Sequence, residues 1–129
     1  MKLNYECVRD TLLAMESMEY NEALRLPELM EKPQLTKYTE NEVQYTCLKL
    51  LEAGYIVAIA VEIGHTEAIV QVSDITFRGH EFLNTVREDK NWKRIVSVAK
   101  SAGVFGVKEI AGIGAKVAAE AITQALNSL

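Results

Sequence analysis

A mainly α-helical fold with a small antiparallel β-hairpin or sheet is predicted by three features of this sequence. Thr39 and Glu42 have the spacing of a capping box ahead of an amphipathic run, Val43, Cys47, Leu50 and Leu51, that stops at Gly54. Two β-rich runs follow, Tyr55 to Ile63 and Ala68 to Ile75, around the polar break Gly64-His65-Thr66-Glu67. Apolar residues at helical spacing then occupy the chain on both sides of this segment.

The first helix is expected from Asn4, a good capping residue, to about Met18, with Leu3 and Val8 placed to staple across its start and Tyr5, Val8, Leu12 and Met15 forming its buried stripe. Glu6, Arg9, Asp10, Glu16 and Glu19 read as its solvated face. Glu22 to Leu26 suits a brief edge strand, and Pro27 to Lys32 a short helix that Pro33 ends. The central helix follows, with Tyr38 placed to staple onto Val43. In the first hairpin strand nearly every position is apolar, so it is expected to be covered on both faces or hidden by another element or chain, whereas its companion is mixed, as suits one wet face.

Asp74 or Thr76 can cap the next helix, Phe77 to about Glu88, with Phe82, Leu83 and Val86 inward. A further helix, Asn91 to Ala102, carries Trp92, Ile95, Val96 and Ala99 on one stripe and ends near Gly103. The last segment, Val104 to Leu126, is rich in small residues, and Gly114 with Ala118 and Ala121 with Ala125 stand four apart, a spacing that lets helices approach closely. Ile110, Gly114, Val117, Ala118, Ala121 and Ala125 are therefore the expected dimer-forming face. Lys108, Glu109, Lys116 and Glu120 make a bilayer crossing costly, and no membrane association is expected. Residues 1–89 form the expected first domain and 90–129 a helical extension for packing or oligomerisation.

With 129 residues, 49 % of them hydrophobic, the chain can build one core and spare a partner-facing element. No charged region followed by an apolar run comes after Met1-Lys2, so a cytoplasmic protein is expected. Cys7 and Cys47 lie among core positions and no histidine stands at ligand spacing from either, so neither a metal nor a cofactor is implied. Net charge is unevenly spread. Met1 to Phe77 holds six Lys and Arg against thirteen Asp and Glu, and Arg78 to Leu129 holds eight against five.

The order helix, edge strand, short helix, capped helix, hairpin, helix is that of the winged helix-turn-helix. Leu50-Leu51-Glu52-Ala53-Gly54-Tyr55-Ile56 resembles the end of the recognition helix in bacterial winged-helix regulators, and Ile75 to Leu83 resembles the strand-to-helix signature after their wing. Met1-Lys2-Leu3-Asn4 with Cys7-Val8-Arg9-Asp10, Gly79-His80-Glu81-Phe82-Leu83 and Arg87 to Trp92 resembles more closely a family of short bacterial proteins, a domain of unknown function often carried by phages and prophages. That resemblance spans Met1 to about Trp92. It implies a winged-helix fold followed by carboxy-terminal helices and a mobile-element origin, and it brings no known activity.

Two functions follow as expectations. The first is a DNA-binding or transcription-regulating protein, a homodimer, in which Asn41, Gln44, Tyr45 and Lys49 contact duplex DNA and Arg87, Lys90, Lys93 and Arg94 add backbone contacts. The second is an interaction or assembly module for a host or phage protein, with a partner or second subunit covering Ile56, Ala58 and the outward face of Val104 to Leu126. The superfold favours the first, and the absence of any basic residue between Lys49 and Arg78 favours the second, because a DNA-holding wing carries Lys or Arg for phosphates. No catalytic residues are expected: the glycines miss phosphate-loop spacing, and His65 and His80 have no nucleophile partner in sequence.

Overall fold

The expected element order is the order found in the computed structural model, which describes residues 1–103 and 106–129. Helix α1 (Tyr5–Glu16) leads to a two-residue strand β1 (Leu24–Arg25) and a short helix α2 (Leu26–Met30). A 3-10 turn at Pro33–Leu35 precedes α3 (Glu40–Glu52) and the hairpin β2 (Ile56–Ile63) and β3 (Thr66–Ile75). Three helices complete the chain, α4 (Phe77–Val86), α5 (Asp89–Ala102) and α6 (Val107–Asn127). The fold is thus mainly α with one small antiparallel sheet.

The caps are where the sequence puts them. The Asn4 side chain accepts from the amides of Glu6 and Cys7 at 3.0 and 3.3 Å, and its own amide donates to Glu42 Oε2 at 3.2 Å, joining the starts of α1 and α3. Thr39 and Glu42 exchange backbone-to-side-chain bonds at 3.2 Å in both directions. These contacts hold the Glu42 carboxyl below its usual range, the Thr39 amide first and Asn4 second. Gly54 ends α3 in the left-handed region at φ +78°, and Thr76 both accepts from Gly79 N and donates to Gly54 O at 2.7 Å. Thr76 rather than Asp74 is therefore the cap of α4, since the Asp74 carboxylate accepts from Ile75 N.

Local differences have local causes. Pro27 takes the second rather than the first position of α2, and Pro33 opens the 3-10 turn that buries Leu35. Both prolines stand in first turns, where a missing amide proton costs nothing. The hairpin break is shorter than expected. Ile63 pairs with Thr66 across Gly64-His65, with Gly64 at φ +65°.

The sheet order is β1-β3-β2, so β2 is an edge strand. On β3 the buried residues Ile69, Val72 and Ile75 are three apart, a spacing that simple alternation cannot place on one face. Register shifts opposite Val57/Ala58 and Ile59/Ala60 leave Ser73 and Val70 as extra residues, and each bulge restores the inward orientation of the next apolar residue. Ile56 pairs with Ile75, Ala58 with Val72 and Ala60 with Ile69, forming the sheet's inner face.

That face joins a single core with Cys7, Val8 and Leu12 of α1, Val43, Cys47 and Leu50 of α3, Phe82, Leu83 and Val86 of α4, and Trp92 and Ile95 of α5. Gly79 lets α4 lie directly on the start of β2: a Cβ there would stand 2.1 Å from Tyr55 O. Ile110 and Val117 of α6 are buried in the same core, and Gly114 packs on Thr85 and Ile95. Val104, the expected start of the last segment, lies outside the described residues.

The charged side of α1 is a solvated face only in part: Glu6, Glu16 and Glu19 are exposed, whereas Arg9 is half-buried and Asp10 buried. Asp10 is buried and accepts from Tyr38 Oη at 2.6 Å. Arg9 donates to the carbonyls of Val86 and Arg87 at 2.7 and 2.6 Å and pairs with Asp89 at 2.8 Å. Glu6 accepts from Trp92 Nε1 at 2.9 Å, and Glu16 receives both terminal nitrogens of Arg87. These residues form a polar seam between α1 and the α4–α5 junction, with Glu19 left exposed outside it.

Candidate functional site

Three surfaces hold the residues that the sequence marks for function. The first is the outer side of α3. Asn41 is exposed, whereas Gln44, Tyr45 and Lys49 are half-buried, because the hairpin tip leans toward the helix. Tyr45, Leu48, Lys49, Leu51 and Glu52 line one side of a cleft of ≈ 630 Å³, and His65, Thr66 and Glu67 line the other. Lys49 is committed to Glu52 at 2.9 Å, a contact that raises its pKa, and it also lies 5.5 Å from the Tyr45 ring centre. The remaining charges on the cleft wall are acidic, and Glu62 stands directly across from Glu67 at the hairpin tip. Like charges at that register repel each other and would repel a phosphate backbone too.

The second surface is basic. Arg87 and Arg94, both expected to reach DNA, are paired with Glu16 and Glu120. Arg87 holds the Glu16 carboxyl below its usual range by hydrogen bonding first and by charge second, while its own pKa is raised by the same carboxylate. Lys90 and Lys93 are exposed and, among the described residues, enter no ion pair. Lys100 continues their stripe two turns beyond Lys93 along α5.

The third surface is the outer face of the hairpin. Val57, Ile59, Val61 and Ile63 alternate along β2 with relative exposures of 48, 52, 39 and 71 %, and Val70, the extra residue of the second β3 bulge, adds 41 %. Arg25, Gln71 and Ile59 form one cross-strand row on this face. The expectation that a partner covers Ile56 and Ala58 is corrected here. Ile56 is buried and Ala58 half-buried within the chain itself, and the uncovered set is the odd-numbered one. Both phases of β2 are apolar, so periodicity could not say which of them α3 and α4 would cover.

Along α6, Ile110, Gly114 and Val117 are taken up by the chain's own α4 and α5, Ala118 and Ala121 are half-buried, and Ala125 is exposed. Cys7 and Cys47 are buried free thiols whose pKa values are pushed up by desolvation, that of Cys47 to about 12, so they pack as small hydrophobes. His80 is exposed and lines a cleft of ≈ 410 Å³ with Glu16, Glu19, Glu22, Asp74 and Val57. Among the described residues no group of His, Cys, Asp or Glu is arranged to hold a metal ion.

Comparison with known proteins places this arrangement. A family model described as a hypothetical protein, DUF2513, matches residues 2–105. The chain belongs to the DUF2513 family. The match takes in α1 to α5 and so includes the α1 seam, the α3 cleft and the hairpin. The DUF2513 chain is also 29 % identical over 102 residues to an uncharacterised protein of Haemophilus influenzae strain Rd, covering 78 % of this chain and 80 % of that protein. No solved structure matches it. No helix among its described residues is long and apolar enough to cross a membrane.

Proposed function

We propose that this DUF2513 chain is a winged-helix domain of phage or prophage origin that serves in the cytoplasm as a non-enzymatic protein-interaction or assembly module. In this reading β1, α2, α3 and the β2–β3 hairpin are the sheet edge, helix-turn-helix and wing. The observation that carries the reading is the run Val57, Ile59, Val61, Ile63 and Val70, an apolar strip left open on the wing while Ile56, Ile69, Val72 and Ile75 of the inner face are buried. Isolated exposed aliphatic residues need no explanation, but four alternating along an edge strand, with Val70 beside them on the central strand, mark a contact surface. The cleft between α3 and the wing adds support, because its one lysine is paired with Glu52 and the other charge on its wall is the carboxylate of Glu67, where a DNA reader needs cations.

A DNA-binding, regulatory role is the second reading, favoured by the exposed Asn41, the outward Gln44 and Tyr45, and the lysine stripe of Lys90, Lys93 and Lys100. A titration of the purified protein against random duplex DNA at low and moderate salt separates the two. The interaction reading expects no salt-sensitive binding. Binding that weakens for one sequence in Gln44→Ala or Tyr45→Ala, and for all sequences with a shallower salt slope in Lys93→Ala, would establish the DNA reading instead.

A further inference from the structure

Resting on that reading of the hairpin, we infer that the free edge of β2 takes up an extended segment of a partner protein as an added strand, one with aliphatic residues at alternate positions and a Lys or Arg beside the hairpin tip. The two edges of the sheet are built differently. Strand β1 has two residues, one of them Arg25, and Pro27 follows at once, devices by which native sheets discourage strand addition. Strand β2 has eight residues, about 26 Å of chain, with no Pro, Lys or Arg among them. The extra residues of both bulges, Ser73 and Val70, lie on β3, so β2 itself runs unbroken. No strand pairs with its other side, and among the described residues no backbone hydrogen bond from another element reaches Ile56–Ile63. An edge this long and regular is a template for pairing, in which main-chain bonds give affinity and alternate side chains give selection.

Charge selects the occupant. Strands β2 and β3 carry Glu62, Glu67 and Asp74 and no cation. Glu62 stands across from Glu67, where like charges repel, and at the other end Val57 and Asp74 open onto the cleft lined by Glu16, Glu19, Glu22 and His80. A cation on a strand added beside Glu62 lies roughly 5 Å from it and relieves that repulsion. A second copy cannot supply it. The sequence has no Lys or Arg between Lys49 and Arg78, so β2 paired with another β2 adds only more carboxylates. Val57, Ile59, Val61 and Ile63 share one side of β2, which sets the alternate aliphatic positions of the added strand.

The test is fluorescence anisotropy of a labelled peptide, Val-Lys-Val-Thr-Val-Thr-Val-Lys, titrated with the full chain. Controls are the same peptide with both lysines replaced by glutamate, and a third with its amides N-methylated, which cannot pair as a strand. Glu62→Lys changes an exposed tip residue. Ile63 and Thr66 close a two-residue turn as a hydrogen-bonded pair, so even-numbered β2 residues turn their amides to the free edge, and Ala60→Pro removes one of these without breaking the bonds to β3. Circular dichroism checks the fold of both variants. The lysine peptide is expected to bind wild type roughly two- to thirtyfold more tightly than the glutamate peptide, and Glu62→Lys to erase or invert that preference. Ala60→Pro is expected to weaken binding at least about tenfold, and the N-methylated peptide not to bind. No binding of the lysine peptide at millimolar protein overturns the inference, as does equal binding of the two charged peptides or any binding of the N-methylated one. A wild-type dimer that Ala60→Pro splits overturns it too, since a second copy then holds the edge. The DNA titration above decides the parent reading separately: a chain that binds neither peptide nor DNA sinks the added strand alone, whereas sequence-specific, Gln44-dependent DNA binding sinks the interaction reading itself.

Discussion

The two faces of the β2–β3 hairpin both carry β-branched aliphatic residues and meet opposite surroundings. On the inner face Ile56, Ile69, Val72 and Ile75 are at most 5 % exposed, and Gly79 brings α4 against the backbone at Tyr55. On the outer face Val57, Ile59, Val61 and Ile63 are equally β-branched and equally apolar, yet they stay 39–71 % exposed among the described residues. A strand whose two sides match in chemistry but differ in cover shows that hydrophobicity sets what can be buried, while the placement of neighbouring helices sets what is. The difference also separates roles. The inner side carries stability and the outer side is free to carry contact.

Substitutions that move the two faces toward each other test this contrast. Val72→Asp puts an unpaired carboxylate into the inner face and is expected to leave the chain unfolded, a loss of at least ~4 kcal/mol, whereas Ile59→Glu on the outer face is expected to shift stability by no more than about 0.5–1 kcal/mol; urea denaturation of both reads the gap directly. Similar losses from the two would show that the outer face is covered within the chain.

Next in size is deletion of Val70 together with Gln71, which takes out the bulge residue and one paired residue and so turns Ile69 toward solvent; several kcal/mol should be lost by the same measurement, together with the protection of the β2 and β3 amides toward the tip in hydrogen exchange. Gly79→Ala sharpens the inner side further. With Tyr55 O in the way of the new Cβ, α4 must lift off the sheet, and a cost of about 1–3 kcal/mol with a lowered Tm is expected, where Gly112→Ala, which meets open space on α6, should be neutral or slightly stabilising.

The smallest effect belongs to the polar seam. The Glu16 carboxyl titrates below its ordinary value because of Arg87, so its contribution is present above the unfolded value near 4.5 and is lost as pH falls through the lower folded one. Glu16→Gln should therefore cost under about 1 kcal/mol at neutral pH and nothing at the acid end of a pH series of melts. An undiminished cost in acid would show that the Glu16 side chain acts by packing rather than by charge.

Much of the fold was legible because it is written in local chemistry. Capping pairs need residues three apart, so Asn4, Thr39 and Thr76 announce where α1, α3 and α4 begin; left-handed glycines announce where α3 and α5 end, and apolar spacing names most of the core. The candidate site was legible only in outline. An unusually apolar edge strand could be read directly, with the suspicion that something covers it, but the uncovered phase could not, because Val57 and Ile59 are indistinguishable from Ile56 and Ala58 until α4 is docked.

Long-range pairing is what the sequence alone leaves open. Nothing local tells Arg9 from a solvated arginine, yet it binds carbonyls 77 and 78 residues away, and the same holds for Glu6 with Trp92 and Arg87 with Glu16. Nor does spacing reveal that two bulges in β3 bring Ile69, Val72 and Ile75 to one side, since that depends on the register with β2. By itself the sequence determined the elements, their ends and the residues fit for burial, because helix caps, turns and hydrophobic periods are set within a few residues. Only the tertiary structure decided which apolar face stays open and which charges are consumed, because those outcomes depend on which distant surfaces come together.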